Sequence, residues 1–208
     1  MTILSLLLVL STAAEGPRVP AAIATREGLE IVMATGPIDA GFSERLRVAV
    51  ERNPAATVLE IESPGGLADQ AYKSAELLND RGITVRVRGR CASACALLWA
   101  SSESRALIEG AQIGLHLGKP SSKPPRFLRS LVQRYSYNLA KAALVNAGFS
   151  QELIGRALST PHSSMLWLDV EAAKDAGAVF DRLPRGHTQS NRGAPNKSFK
   201  PTPLRGAA

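Results

Sequence analysis

"ITVRVRGRCASACALLWASSESRALIEGAQIGLHLG" (83–118) is the stretch on which the fold turns. Residues 83–89 alternate apolar and polar side chains, the period-2 pattern of a strand with one buried face. "ASACALLWASSE" (92–103) reads as a helix, and "RALIEG" and "AQIGLHLG" (105–118) read as two short strands. A helix start near Ala92 places Ser93 in the first turn. There it lies beside backbone N–H groups without intrahelical partners and at the positive end of the helix dipole. That setting would stabilise an oxyanion near the hydroxyl; the plainer reading of the same residue is a helix cap.

The flanking sequence repeats the alternation of strand and helix. Upstream, 28–38 is β-branched and strand-like, and 42–53 has helical apolar spacing closed by Asn53-Pro54. Residues 56–64 form a strand pattern, and 68–82 a helix with Gly82 as its C-cap. Downstream, 119–125 is a loop, followed by helices over 126–147 and 151–158, a strand over 165–169 and a closing helix over 170–177. Such alternation predicts one α/β domain with a mostly parallel sheet.

The 208 residues suffice for one domain with a real core, and 45% hydrophobic residues is a globular proportion. The net charge of +7 is concentrated at the C-terminus. Residues 182–208 carry six basic side chains and no acid, which leaves the rest of the chain near neutrality. With no basic stripe interleaved with aromatics in that body, no nucleic-acid partner is expected. At the other end, "MTILSLLLVLSTAAEG" has an apolar run, Ile3 to Leu10, too short to span a bilayer. It ends in small residues, so 1–14 reads as a signal peptide or N-terminal hydrophobic anchor, although no Lys or Arg precedes the run. The expected division is a linker at 15–27, the α/β domain at 28–184 and a disordered basic tail at 185–208. The expected location is periplasmic or secreted, with membrane contact only through an uncleaved N-terminal segment. A disulfide can persist in such a compartment.

Two further features carry potential chemistry. Ser63-Pro64-Gly65-Gly66 lies directly between a strand and a helix, where paired glycines turn tightly and present bare N–H groups. Read plainly, it is an ordinary loop. The chain has three histidines, His116, His162 and His187. His116 ends an apolar strand, where it is either a structural histidine or the base of a Ser–His pair, if strand and helix bring the two within hydrogen-bond reach.

The order "EIESPGGLADQAYKSAELLN", "VRGRCASACALLWASSESRALIEGAQIGLHLG", "WLDVEAAKDAGAVFD" resembles the Clp protease proteolytic subunit and its exported relatives in the Clp/crotonase superfamily, over about Gly28 to Asp181. The resemblance implies a β-β-α superhelix with a mostly parallel sheet. It implies Ser93 as nucleophile, His116 as general base, the amides of Gly66 and Ala94 as oxyanion hole, and Gly65 as the shaper of the turn. The implied activity is that of a serine peptidase-like hydrolase on an extended peptide or protein substrate, without a cofactor. Homo-oligomers are common in the superfamily, but nothing here fixes a number.

One departure bears on activity. The family's third catalytic residue is an Asp before the last strand and helix, and here no carboxylate lies between Glu152 and Asp169. His162, Ser163 and Ser164 fill that place. Asp169 could substitute, but its position before "VEAA" reads as an N-cap. Loss of the acid costs a serine protease about 10⁴-fold in rate. A weak hydrolase, a catalytically inactive exported binding module and a crotonase-like acyl-CoA enzyme therefore all remain readings of the sequence.

Cys91 and Cys95 frame Ser93. They are read either as two buried small hydrophobes or as a disulfide that fixes the turn, as in exported relatives with a Cys-x-Ser-x-Cys turn. Two cysteines supply too few ligands for a metal site, and no histidine stands at ligand spacing. No phosphate-binding loop pattern occurs. A Ser–Lys dyad is disfavoured because no lysine lies between Lys73 and Lys119.

Overall fold

The computed structural model describes residues 20–25, 30–118 and 124–186. The N-terminal segment 1–14, most of the expected linker and residues 187–208, His187 included, lie outside the described residues. In chain order the elements are β1 (Ala22–Thr25), β2 (Ile31–Thr35), α1 (Phe42–Arg52), β3 (Val58–Ser63), α2 (Ala68–Asp80), β4 (Thr84–Ala92) and α3 (Ala94–Ser101). They continue with β5 (Arg105–Ile108), β6 (Gln112–Leu115), a 3-10 turn at Arg126–Leu128, α4 (Arg129–Asn146), α5 (Gln151–Ser159), β7 (Leu166–Asp169), α6 (Val170–Asp175) and β8 (Asp181–Leu183).

The protein is α/β, with an eight-stranded mixed and mostly parallel sheet. The main path runs β1-β2-β3-β4-β5-β8, with β6 pairing β4 and β7 pairing β6. The pairs β1–β2 and β6–β7 are antiparallel, and the others are parallel. The helices form because their apolar residues recur at helical spacing. In α1, Phe42, Leu46 and Val50 are buried at steps of four, and in α2 the buried set is Gln70, Ala71, Ser74, Ala75 and Leu78. α3 is buried nearly all round, which its run of Ala, Cys, Leu and Trp requires. Trp99, in its last turn, lies 6.4 Å from the Phe149 ring and 5.7 Å from that of Phe180. Its indole N–H donates to the Ala106 carbonyl at 3.2 Å, which satisfies the one polar atom of the side chain.

Strand alternation sorts the two sheet faces. Leu59, Ile61, Val85 and Val87 are buried in the core. The residues between them, Glu60, Glu62, Arg86 and Arg88, form ion pairs, of which Arg86–Glu60 at 2.6 Å is itself buried.

Three local expectations are corrected. The strand read as 83–89 continues to Ala92 through a bulge. Between the pairs Ile61↔Val87 and Ser63↔Cys91, β4 advances four residues while β3 advances two. The extra residues break the alternation on which the sequence reading relied. Part of the expected linker is an edge strand, β1, and the chain ends its described body with another, β8. Both are too short to show a period. Finally, Arg185, expected to open the tail, lies against the body: its Nε donates to the Glu109 carbonyl at 3.3 Å.

Candidate functional site

The bulge in β4 aims the strand's end. Before it, Val85–Val87 pairs with β5; after it, Arg90–Ala92 pairs with β6. A Cβ on Gly89 would lie 2.6 Å from a Glu62 carboxylate oxygen, so the glycine leaves room for that side chain where the strand bends. β4 thus delivers Ser93 beside the end of β6, where His116 follows Leu115.

Ser93 does not lie in the first helical turn, as expected from the sequence. It occupies the junction itself, at φ 54° and ψ −120°, and is the only non-glycine residue with positive φ among the described residues. The helix begins at Ala94, and the Ser93 hydroxyl makes no capping hydrogen bond. It meets His116 instead: Nε2 of the imidazole is 2.7 Å from Oγ. The Ser93 N–H donates to the Gly114 carbonyl at 2.8 Å, and its own carbonyl accepts from Leu97 N–H at 3.0 Å. A β-carbon held at this conformation costs about 1–3 kcal/mol, so its surroundings must enforce it.

Two features hold the turn. Cys91 and Cys95 form a disulfide across it, with Cα atoms 5.2 Å apart and both residues buried. The Gly65-Gly66 loop abuts it from the other side. A Cβ on Gly65, at φ 94°, would lie 2.8 Å from Ser93 Cβ and 3.1 Å from the Ala94 nitrogen. The loop is clamped to Ile38, whose N–H donates to the Gly65 carbonyl and whose carbonyl accepts from Leu67 N–H, both at 2.8 Å. Ile38 and Gly114 thus position the site through backbone atoms, which no side-chain pattern in the sequence signals. The N–H groups of Gly66 and Ala94 donate to no other described residue. Gly66 follows the glycine that abuts Ser93, and Ala94 follows Ser93 itself, so both amides belong to the two segments that meet at the turn.

The other side of His116 differs from expectation. Its Nδ1 is buried and has no hydrogen-bond partner among the described residues. The sequence places a neutral group of Pro161–Ser164, or water, at this nitrogen in place of a carboxylate; among the described residues neither a group of that segment nor a carboxylate bonds it. Ser163 and Ser164 are exposed, in a turn closed by Ser164 N–H to the Pro161 carbonyl at 2.8 Å. Asp169 caps α6, its Oδ1 accepting from Ala172 N–H at 2.8 Å. It pairs with Gln112 at the far end of the β6–β7 ladder from Leu115. What does reach His116 is His162, with ring centroids 5.1 Å apart and planes inclined by 34°. Burial first, and then the neighbouring His162, hold the His116 pKa below the ordinary histidine value.

Among the described residues no three or more His, Cys, Asp or Glu side chains converge as metal ligands, and no helix is long and apolar enough to cross a membrane. Neither a scan against protein-family models nor a search of curated proteins finds a match to this chain.

Proposed function

We propose that this protein is a serine hydrolase of peptidase type, built on a Clp/crotonase-type sheet and exported to an oxidising compartment. Ser93 Oγ attacks the carbonyl carbon of an extended peptide or ester, and His116 Nε2 takes the hydroxyl proton. The amides of Gly66 and Ala94 bind the oxyanion. His116 then returns the proton to the leaving group, and water releases the acyl group by the same steps in reverse. The observation that carries the reading is the 2.7 Å contact between Ser93 Oγ and His116 Nε2, made by a serine held at positive φ where a strand becomes a helix. The buried Cys91–Cys95 disulfide supports export, since such bonds persist outside reducing compartments.

A fluorophosphonate probe tests the activity. It should label the wild type, and neither Ser93→Ala nor His116→Ala should be labelled at a comparable rate. An unlabelled wild type, or labelling that survives Ser93→Ala, removes the reading. One observation favours a second reading, a non-catalytic binding module on the same fold: Nδ1 has no partner among the described residues, so none of them offers an anion there to stabilise a charged His116. Failure of the wild type to react would select it.

A further inference from the structure

We propose that His162 is the positioning residue for His116, holding by ring contact the imidazole that a carboxylate would otherwise orient. The inference rests on the hydrolase reading for its catalytic meaning, but the contact itself can be tested without it.

A serine hydrolase needs the proton of its neutral histidine on Nδ1, so that Nε2 can accept from the hydroxyl. Usually an acceptor on Nδ1 fixes both that tautomer and the angle of the ring. Here Nδ1 is buried without a partner among the described residues, and no carboxylate occurs from Leu153 to Leu168. The ring would be free to turn about its Cβ–Cγ bond and break the 2.7 Å contact to Ser93 unless something blocked that rotation. The His162 ring, 5.1 Å away and inclined by 34°, lies against it.

Its backbone is placed for this role. Leu117 N–H donates to the Thr160 carbonyl at 3.0 Å, tying the segment after His116 to the segment before His162. The Pro161–Ser164 turn and the β6–β7 ladder fix the other end. His162 itself is exposed, so no demand of the core explains a ring at this place.

Orientation by a ring differs from orientation by an acid in its electrostatics. A carboxylate stabilises the imidazolium formed in the transition state. A neutral imidazole does not, and a protonated one opposes it. Among the described residues, His162 acts on His116 after burial itself, and both favour the neutral form. His116 is therefore competent as a base in its neutral form.

Three substitutions at position 162 separate packing from charge, read by the rate of fluorophosphonate labelling and by the imidazole NMR titration of His116. His162→Ala should slow labelling about tenfold, within the range that misplacement of a reacting group produces. His162→Phe should stay within about threefold of wild type, because a ring still blocks the rotation. In both, removal of the neighbouring imidazole should move the His116 midpoint to higher pH. His162→Asp should raise the midpoint further and speed labelling above wild type at alkaline pH. Equal rates and midpoints in wild type, Ala and Phe would overturn the proposal. Equal losses in Ala and Phe would also overturn it, by showing that a nitrogen of His162 is needed rather than its ring. If the wild type is not labelled at all, the hydrolase reading fails and NMR decides the contact alone. His116 ring signals broadened in Ala but sharp in Phe would support positioning, and unchanged signals in both would end it.

Discussion

His116 is a histidine held neutral. It is partly buried, and another imidazole, that of His162, lies beside it, so both influences disfavour the cation. A general base must be unprotonated, so labelling of Ser93 should fall as pH drops, with a midpoint below the ordinary histidine value of 6.5. The same shift bears on stability. The unfolded chain binds the proton more readily than the native one, so the contribution of His116 is complete above 6.5 and is lost as pH falls through the lowered native pKa. Labelling rates between about pH 4.5 and 8 test the first statement. A midpoint at or above the ordinary value would show that His116 is stabilised as a cation by a group other than His162. Ser93 is the second residue under constraint. A positive φ is unusual for a residue with a side chain, and here it turns the hydroxyl away from the helix it precedes and towards the imidazole.

The element that makes the site is the junction of β4 and α3. β4 ends between two partners, β3 and β6, and the bulge at Gly89 lets one strand serve β5 with its first half and β6 with its second. The disulfide then ties the last strand residues to the first helical turn, from Cys91 to Cys95. The loop so closed is small, and chain-entropy arguments give a stabilisation of about 2 kcal/mol. The larger effect should be on the turn. In the Cys91→Ala/Cys95→Ala double variant, thermal unfolding should show a loss of that order. The labelling rate should fall at least tenfold, measured well below the unfolding transition, because a displacement of about 1 Å at a reacting group can cost 10²-fold. A variant that loses stability but labels at the wild-type rate would show that the Gly65 loop and the Gly114 carbonyl suffice to hold Ser93.

At the scale of the molecule, α3 joins the site to the core. Its N-terminus carries the Ala94 amide, and near its C-terminal end Trp99 packs between Phe149 and Phe180, residues that lie far along the chain. Arg105 reinforces the same region, donating to the Ala100 and Asn146 carbonyls, and burial pulls its pKa down to about 10. Trp99→Ala should cost about 3–5 kcal/mol, the range for emptying a large aromatic site, read as a lowered denaturation midpoint. A loss below about 1 kcal/mol would mean that α3 is not the hub that its burial implies.

Period and composition alone determined much of this. Alternation in β3 and in the first half of β4, helical spacing in α1, α2 and α5, and the cap at Asp169 were all legible, because each is set by neighbours a few residues apart. The order of motifs around Ser63-Pro64-Gly65-Gly66, Ser93 and His116 was legible too, and with it the pair worth measuring. Edge strands of three or four residues were not, since they hold too few positions to show a period and exist only because a neighbouring strand pairs with them. The bulge at Gly89, the positive φ of Ser93 and the ring of His162 against His116 were decided by the tertiary structure alone. Each depends on groups distant in sequence. Glu62 faces Gly89, Gly65 and the Gly114 carbonyl confine Ser93, and His116 and His162 stand 46 positions apart, so no local pattern could record them.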